Sequence, residues 1–371
     1  MIHIRTPKRY YTEEGAIRIA GSAIAELGTH ALIIGGKTAL EVTVRELLPS
    51  LDAAGVSFVI ESYDGECTAG AIAAFALRAE ELEAGVIVGV GGGRILDLAK
   101  AVAEEREIPA ATIPTVAATC AAWSALSIIY EESGRYAGPR PLKNAPELAI
   151  ADLSLLAAAP ARYLKSGIAD TLVKWYENAP HAAAAEEDLS LGIALRVSAL
   201  ALEVLEEHAV QAAKDAGSGR VTPAFRKTVD AVILLAGLTG SVTQGNHHAA
   251  VAHAVHNSLT SLPETHGSLH GEKVGFGLLV QFVLEGKPEQ QIHELILLLR
   301  VLELPVTLKQ LGITAQPADV AKEIAQGVNL GSALLSFAVN AKLLQEAVIT
   351  ADRHGNAQLN GVPAITAGGL K

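Results

Sequence analysis

The run VIVGVGGGRILDLAKA, residues 86–101, constrains the fold more than any other stretch of the chain. Val86 to Val90 reads as a buried strand that breaks at Gly91, Gly92 and Gly93 and passes directly into an amphipathic helix, Ile95 to Glu105. Short apolar runs of this kind recur: ALII at 31–34, ending in Gly35 and Gly36, VSFVI at 56–60, and a strand from Ala111 to Pro114 ending in Thr115. From residue 16 to 150 such runs alternate with amphipathic helices, the pattern of a parallel sheet covered on its faces by helices. The glycine run at the strand-to-helix junction is either a tight connection or a phosphate site. In the second case, free N–H groups and the helix dipole meet the anion. The following segment, VAATCAAWSALSIIY, carries Thr119, Ser124, Ser127 and Tyr130 beyond the carboxyl end of a strand, where a dinucleotide would lie.

After Asp152 the composition shifts to helix formers, with amphipathic stretches at Pro160 to Tyr176, Leu189 to Val210, Pro223 to Gln244 and onward to Glu346. We expect two domains, an α/β Rossmann-like unit over residues 1–153 and an all-α unit over 154–371, with the boundary at 152–158. AGSGR at 216–220 reads as a loop, and the tail after Arg353 as loosely held. Hydrophobic residues make up 50% of the chain, yet no apolar run reaches membrane length. The N-terminus lacks the apolar core of a secretory signal, so a cytoplasmic protein is expected. Two cysteines, Cys67 and Cys120, cannot build a disulfide framework. A net charge of −11 with no Lys/Arg block argues against nucleic acid or an anionic membrane as partner, leaving a small-molecule substrate.

Four of the chain's 12 histidines fall in VAHAVHNSLTSLPETHGSLHGEKV, residues 251–274, and His247 and His248 just precede it. His253 and His256 are spaced for one helical face, as are His266 and His270, and Gly271 leaves room close to the His270 ring. The group is either a metal cage or a set of histidines satisfied by backbone carbonyls. Asp170 lies on an apolar helical face in GIADTLVKWYE. It is either a solvated or capping residue, or a buried carboxylate sharing a divalent ion with His253 and His270.

Four motifs in order, GVGGGRILDLAKA at 89–101, IPTVAATCAAWSALSIIY at 113–130, GIADTLVKWYE at 167–177 and AVAHAVHNSLT with SLHGEKVGFG, resemble the iron-containing alcohol dehydrogenase superfamily. Within it, they resemble the glycerol dehydrogenase-like branch. The resemblance covers nearly the whole chain and implies a dehydroquinate synthase-like fold, an α/β Rossmann-like domain followed by an all-α domain. It implies a metal held by Asp170, His253 and His270 with a fourth position open, and a proton relay at His256 beside the substrate. His266 would be outer shell or surface. Gly91, Gly92, Gly93, Arg94 and Asp97 would hold the pyrophosphate; Thr115, Thr119, Ser124, Leu126 and Tyr130 would line the ribose and nicotinamide. The metal would act as Lewis acid while hydride passes to or from the nicotinamide.

Three departures from the family pattern refine these expectations. Lys174 stands where the iron-dependent branch carries a further histidine, which favours Zn2+ over Fe2+. Gly36, followed by Lys37 and Thr38, replaces the acidic residue that NAD-preferring members place after the first strand, which favours NADP(H) over NAD(H). Cys120 replaces the aspartate with which glycerol dehydrogenases bind polyol hydroxyls. TCAAW is similar to the hydroxycarboxylate dehydrogenase subgroup, so hydride transfer between NAD(P)H and a small 2-oxo acid is expected. The alternative is an NAD-dependent glycerol or small-polyol dehydrogenase. A dehydroquinate synthase-like cyclase would need a basic cluster that the histidine stretch lacks, and a non-catalytic nucleotide-binding protein would have no use for a metal. The family commonly forms homo-oligomers, and the same is expected here.

Overall fold

The computed structural model describes residues 4–242, 251–330, 335 and 337–361; His247 and His248 lie outside the described residues. The first half runs β1 (Arg9–Tyr11), α1 (Ala20–Ala25), β2 (His30–Gly35), α2 (Lys37–Ala53), β3 (Ser57–Ser62), α3 (Ala69–Glu81), β4 (Val86–Gly91), α4 (Gly93–Arg106), β5 (Ala110–Pro114), β6 (Leu126–Tyr130), β7 (Tyr136–Pro141) and β8 (Leu148–Ile150). Six strands form one parallel sheet in the order β1-β8-β5-β4-β2-β3. Alternation along the strands divides their side chains between two cores. Ile33, Val88 and Val90 pack on one face with Ile24 of α1 and Leu47 and Leu51 of α2. Leu32, Ile34 and Ile87 pack on the other with Ile72 of α3 and Leu98 and Val102 of α4. That double burial is why these strands read as continuous apolar runs.

The second half consists of α5 (Leu153–Ala158), α6 (Ala161–Asn178), α7 (Leu189–Asp215), α8 (Pro223–Asp230), α9 (Ala236–Val242), α10 (Val251–Leu259), α11 (His270–Leu284), α12 (Glu289–Val301), α13 (Pro317–Gly327) and α14 (Ala341–Gly361). Asp152 joins it to the first half. Its carboxylate caps α5 by accepting from Ser154 N at 2.8 Å, and also takes Gly15 N at 3.2 Å and Ile17 N at 3.0 Å. With Leu155 N at 3.4 Å, one buried side chain thereby satisfies four N–H groups from two segments. No helix among the described residues is long and apolar enough to cross a membrane.

The structure departs from the sequence reading in three places. LSIIY at 126–130 is not one continuous cofactor-facing segment but the first arm of an antiparallel hairpin with β7. The stretch from Pro223 onward is two helices joined by a π-helical turn at 231–235, and its expected end at Gln244 lies outside the described residues. Residues from Arg353 to Gly361 are helical rather than loose. Leu344, Ala347, Val348, Ala351 and Gly355 form a buried stripe along α14, and that stripe anchors the helix.

Candidate active site

Two close backbone approaches assemble the site. A Cβ at Gly271, in the first turn of α11, would stand 1.9 Å from Ser166 O of α6. One at Gly167 would stand 2.2 Å from Ala117 O. Only glycine permits these contacts. The first brings His270 onto the helix that carries Asp170, and Gly271 N donates to Ser166 Oγ at 3.0 Å. The second lays α6 against the loop containing Thr119 and Cys120. The space at Gly271 is therefore taken by the α6 backbone, not left open beside the His270 ring as expected.

Asp170, His253 and His270 come from α6, α10 and α11, and one donor atom from each lies within 4.8 Å of the others. Both imidazole Nε2 atoms are 3.3 Å from the same carboxylate oxygen, Asp170 Oδ1. Asp170 is 2% exposed. The Nδ1 sides of the two rings are held from behind. His253 Nδ1 donates to Glu177 Oε2 at 2.7 Å, and Glu177 Oε1 accepts the backbone N–H of the same residue at 3.0 Å. His270 Nδ1 lies 3.1 Å from His256 Nε2, and His256 Nδ1 lies 2.9 Å from Asn257 Oδ1. A carboxylate and an amide oxygen only accept, so each chain places its protons on Nδ1 and turns an Nε2 lone pair toward Asp170. Two imidazole nitrogens and one carboxylate oxygen, each tautomer fixed by an outer partner, form a donor set suited to a divalent transition metal. Glu177 and Asn257 were not singled out in the sequence, because neither spacing nor composition shows which polar residue stands behind a ring.

His256 is 2% exposed and sits on the opposite side of the His270 ring from Asp170. Its expected place beside the substrate, as a proton relay, gives way to a position that orients His270. Burial, with His270 and Lys273 nearby, holds its pKa well below the ordinary imidazole value, so it stays neutral and its Nε2 accepts. His266 is exposed, with Nε2 3.1 Å from Thr260 O, and does not share a helix with His270.

Lys174 Nζ is 3.5 Å from Asp170 Oδ1, one turn along α6. Burial alone would raise the Asp170 pKa, but Lys174 and the two histidines outweigh it and hold the carboxyl well below its usual range. Burial likewise opposes the charge on Lys174, and the Asp170 and Glu177 carboxylates overcome it, so the ammonium persists. The thiol of Cys120 lies in the field of Lys174 and Asp170; burial pushes its pKa up, so it is neutral near pH 7.

The glycine loop packs on the same 116–121 segment that lies against α6. Gly91 takes φ +154°, a conformation rarely open to L side chains, and Thr115 N donates to Gly91 O at 3.1 Å. Gly92 precedes α4 with no side-chain cap. A Cβ at Gly92 would come 3.3 Å from Val116 Cγ2, and one at Gly93 3.2 Å from Thr119 Oγ1. The space in front of the α4 N-terminus would be narrowed by any side chain, and its N–H groups are those a phosphate would use.

Other residues expected on the cofactor side have structural partners. Asp97 does not face the α4 N-terminus. It is 7% exposed, pairs with Lys100 at 2.9 Å and accepts Ile128 N at 3.1 Å, anchoring the β6–β7 hairpin to α4. Its negative charge fits that anchor better than a pyrophosphate contact. Lys100 also holds Ser124 O, Ser124 Oγ and Leu126 O, so these two residues serve the same anchor. Arg94 is paired with Glu66 at 2.6 Å. Tyr130 packs edge-on against Tyr136 with ring centroids 6.4 Å apart.

Gly36 has an unexpected neighbour. Beyond the paired ends of β2 and β3, Asp64 Oδ1 accepts Lys37 N at 3.2 Å and would stand 3.8 Å from a Cβ at Gly36. A carboxylate therefore does stand at this corner, supplied by the segment that follows β3.

The comparisons with known proteins agree with this architecture. A family model described as iron-containing alcohol dehydrogenase matches residues 7–153. The glycerol dehydrogenase of Pseudomonas putida is 35% identical over 327 residues, covering 87% of this chain and 88% of that protein. Hydroxycarboxylate dehydrogenase A of Escherichia coli K12 is 34% identical over 323 residues, covering 86% and 88%. The crystal structure of a probable glycerol dehydrogenase from Sinorhizobium meliloti 1021 is similar with a TM-score of 0.86 at 27% identity, over 96% of this chain and 100% of that one. The chain belongs to the iron-containing alcohol dehydrogenase family, in its glycerol dehydrogenase-like branch, and is a nicotinamide-dependent dehydrogenase acting on CH–OH groups.

Proposed function

We propose that the chain is a zinc-dependent dehydrogenase that interconverts a small polyol of the glycerol type and the corresponding carbonyl compound. The observation that carries this reading is the convergence of His253 Nε2, His270 Nε2 and Asp170 Oδ1. The relatives named glycerol dehydrogenase support the polyol over the 2-oxo acid expected from the sequence. The His/His/Asp donor set supports zinc, as does an ammonium at Lys174 where a further imidazole would be needed for the iron-type arrangement.

When bound, the metal supplies Lewis acidity toward a hydroxyl or carbonyl oxygen and the nicotinamide supplies hydride exchange. The protein's own part is positional. Asp170, His253 and His270 would hold the ion; Glu177 and His256 fix the two imidazole tautomers. Lys174 keeps Asp170 ionised, and the N–H groups after Gly92 would receive the pyrophosphate. The preference for NADP(H) is not carried into this reading, because Asp64 brings a carboxylate to the Gly36 corner.

Cys120 favours a second reading, hydride transfer between a 2-oxo acid and its 2-hydroxy acid. A neutral thiol near Lys174 offers no repulsion to an anionic substrate, as an aspartate there would. Side-by-side rates of zinc-loaded protein with dihydroxyacetone, 2-oxobutanoate and 2-oxoglutarate separate the two. Faster dihydroxyacetone reduction is expected; turnover of the oxo acids alone would replace the polyol reading with the second.

A further inference from the structure

We infer that Asp64 selects the non-phosphorylated dinucleotide, NAD(H), by receiving the adenosine ribose hydroxyls at the corner where β2, β3 and the glycine loop meet. The inference rests on the dinucleotide reading above. A carboxylate at this corner accepts hydrogen bonds from a 2′- and a 3′-hydroxyl and repels a 2′-phosphate. The residue that follows β2, Gly36, has no side chain to supply it. Asp64 reaches the same place from the other side. Gly35 is in register with Ser62 and Tyr63 N donates to Gly35 O at 2.9 Å, so the chain leaving β3 runs alongside Gly36. The first atom that a Cβ at Gly36 would meet is Asp64 Oδ1, and the next is Ile95 Cγ1 of α4 at 3.9 Å. The corner thus faces the first turn of the helix behind the glycine loop.

The surroundings agree with a role in selection. Lys37 N, at the start of α2, holds Asp64 Oδ1 at 3.2 Å and fixes the carboxylate at a helix N-terminus. Asp64 is exposed and so open to a ligand. The cations that would have to welcome a 2′-phosphate are already offset. Arg94 is bound to Glu66 at 2.6 Å, and Lys37 shares its corner with Asp64. A phosphate there would meet a carboxylate first.

Equilibrium binding of NAD+ and of NADP+ to the zinc-loaded protein tests the assignment, read by calorimetry for the unaltered chain, Asp64→Asn, Asp64→Ala, and Asp64→Ala combined with Gly36→Asp. The unaltered chain should bind NAD+ more tightly. Asp64→Ala should move the NADP+/NAD+ ratio of dissociation constants toward NADP+ by about 10–100-fold, the loss of charge-assisted hydrogen bonds. Asp64→Asn keeps an acceptor for Lys37 N and should relieve the exclusion of NADP+ with a smaller loss for NAD+. Adding Gly36→Asp should restore the original ratio, since a side chain at 36 has 3.8 Å of clearance. An unaltered chain that binds both dinucleotides with a ratio that Asp64→Ala leaves unmoved overturns the role of Asp64 alone. A chain that binds neither dinucleotide overturns the dinucleotide reading and this assignment with it.

Discussion

Glu177 holds His253 twice, accepting its backbone N–H at 3.0 Å and its ring Nδ1–H at 2.7 Å. The two residues are 76 positions apart, and Glu177 is buried. This clasp fixes both where the ring stands and which nitrogen is left to bind a metal.

Glu177→Gln should therefore weaken zinc binding by about 10–100-fold, the usual cost of losing an outer-shell partner. The amide can still take one N–H through its oxygen. Its NH2 group would then face the remaining nitrogen or N–H, favouring the tautomer that carries its proton on Nε2. Competition with a chelator of known affinity measures the effect. Unchanged zinc affinity would remove Glu177 from the site; loss of zinc affinity together with a collapsed apo-protein melting curve would make its role structural only.

Asp170→Asn, His253→Ala and His270→Ala should each abolish stoichiometric zinc and lower kcat by more than about 100-fold. Asp170→Asn also leaves the Lys174 ammonium without its carboxylate at 3.5 Å, so this variant should melt at the lowest temperature of the three. Metal analysis and melting curves check both points. Full metal content in any one of them would show that residue is not a ligand.

Gly271→Ala should destabilise the protein by about 1–3 kcal/mol, as overpacked sites do, because its Cβ has to displace Ser166 O from 1.9 Å. The same displacement moves His270 away from Asp170, so zinc affinity should fall in parallel. A variant with normal melting and normal zinc affinity would mean that α11 and α6 are not held at this separation in solution.

Lys273 predicts a pH dependence. Burial lowers its pKa to about 8, and Glu66 and Glu272 only partly oppose the shift. Both acids are already engaged, Glu66 by Arg94 and Glu272 by Arg162 at 2.6 Å, and His256 faces the ammonium as a neutral ring. Above pH 8 the folded chain gives up this proton while the unfolded chain retains it up to its ordinary value of about 10.5. Stability from this group thus rises with pH across that window. Lys273→Met should melt higher than the unaltered chain at pH 7, and the gap should narrow by pH 10. A gap independent of pH would show that the ammonium is not desolvated.

The strands β2, β4 and β5 and the glycine loop were legible because double-faced burial writes uninterrupted apolar runs, and because a strand feeding a helix through Gly91 to Gly93 leaves a local signature. The helical placement of Asp170, His253 and His256 was equally local. The short strands β1 and β8, three residues each, carry no period to read. Neither does the β6–β7 hairpin, whose first arm looks from its sequence like a loop of hydroxyls beside a cofactor.

What each histidine does was decided by packing. His253 and His256 have the same helical spacing and chemistry in the sequence, yet one turns its Nε2 to Asp170 and the other stands behind His270. The difference arises from how α6, α10 and α11 meet, which depends on Gly167 and Gly271 lying against the backbone of distant residues. The Gly36 corner shows the same division. Read along the chain it has lost a carboxylate; pairing of β2 with β3 restores one from Asp64, 27 residues after Lys37. Periodicity and turn chemistry act over a few residues and were written in the sequence, whereas the identity of the atom facing each ring or filling the Gly36 corner is a contact between remote segments, set only when the sheet and helices close on one another.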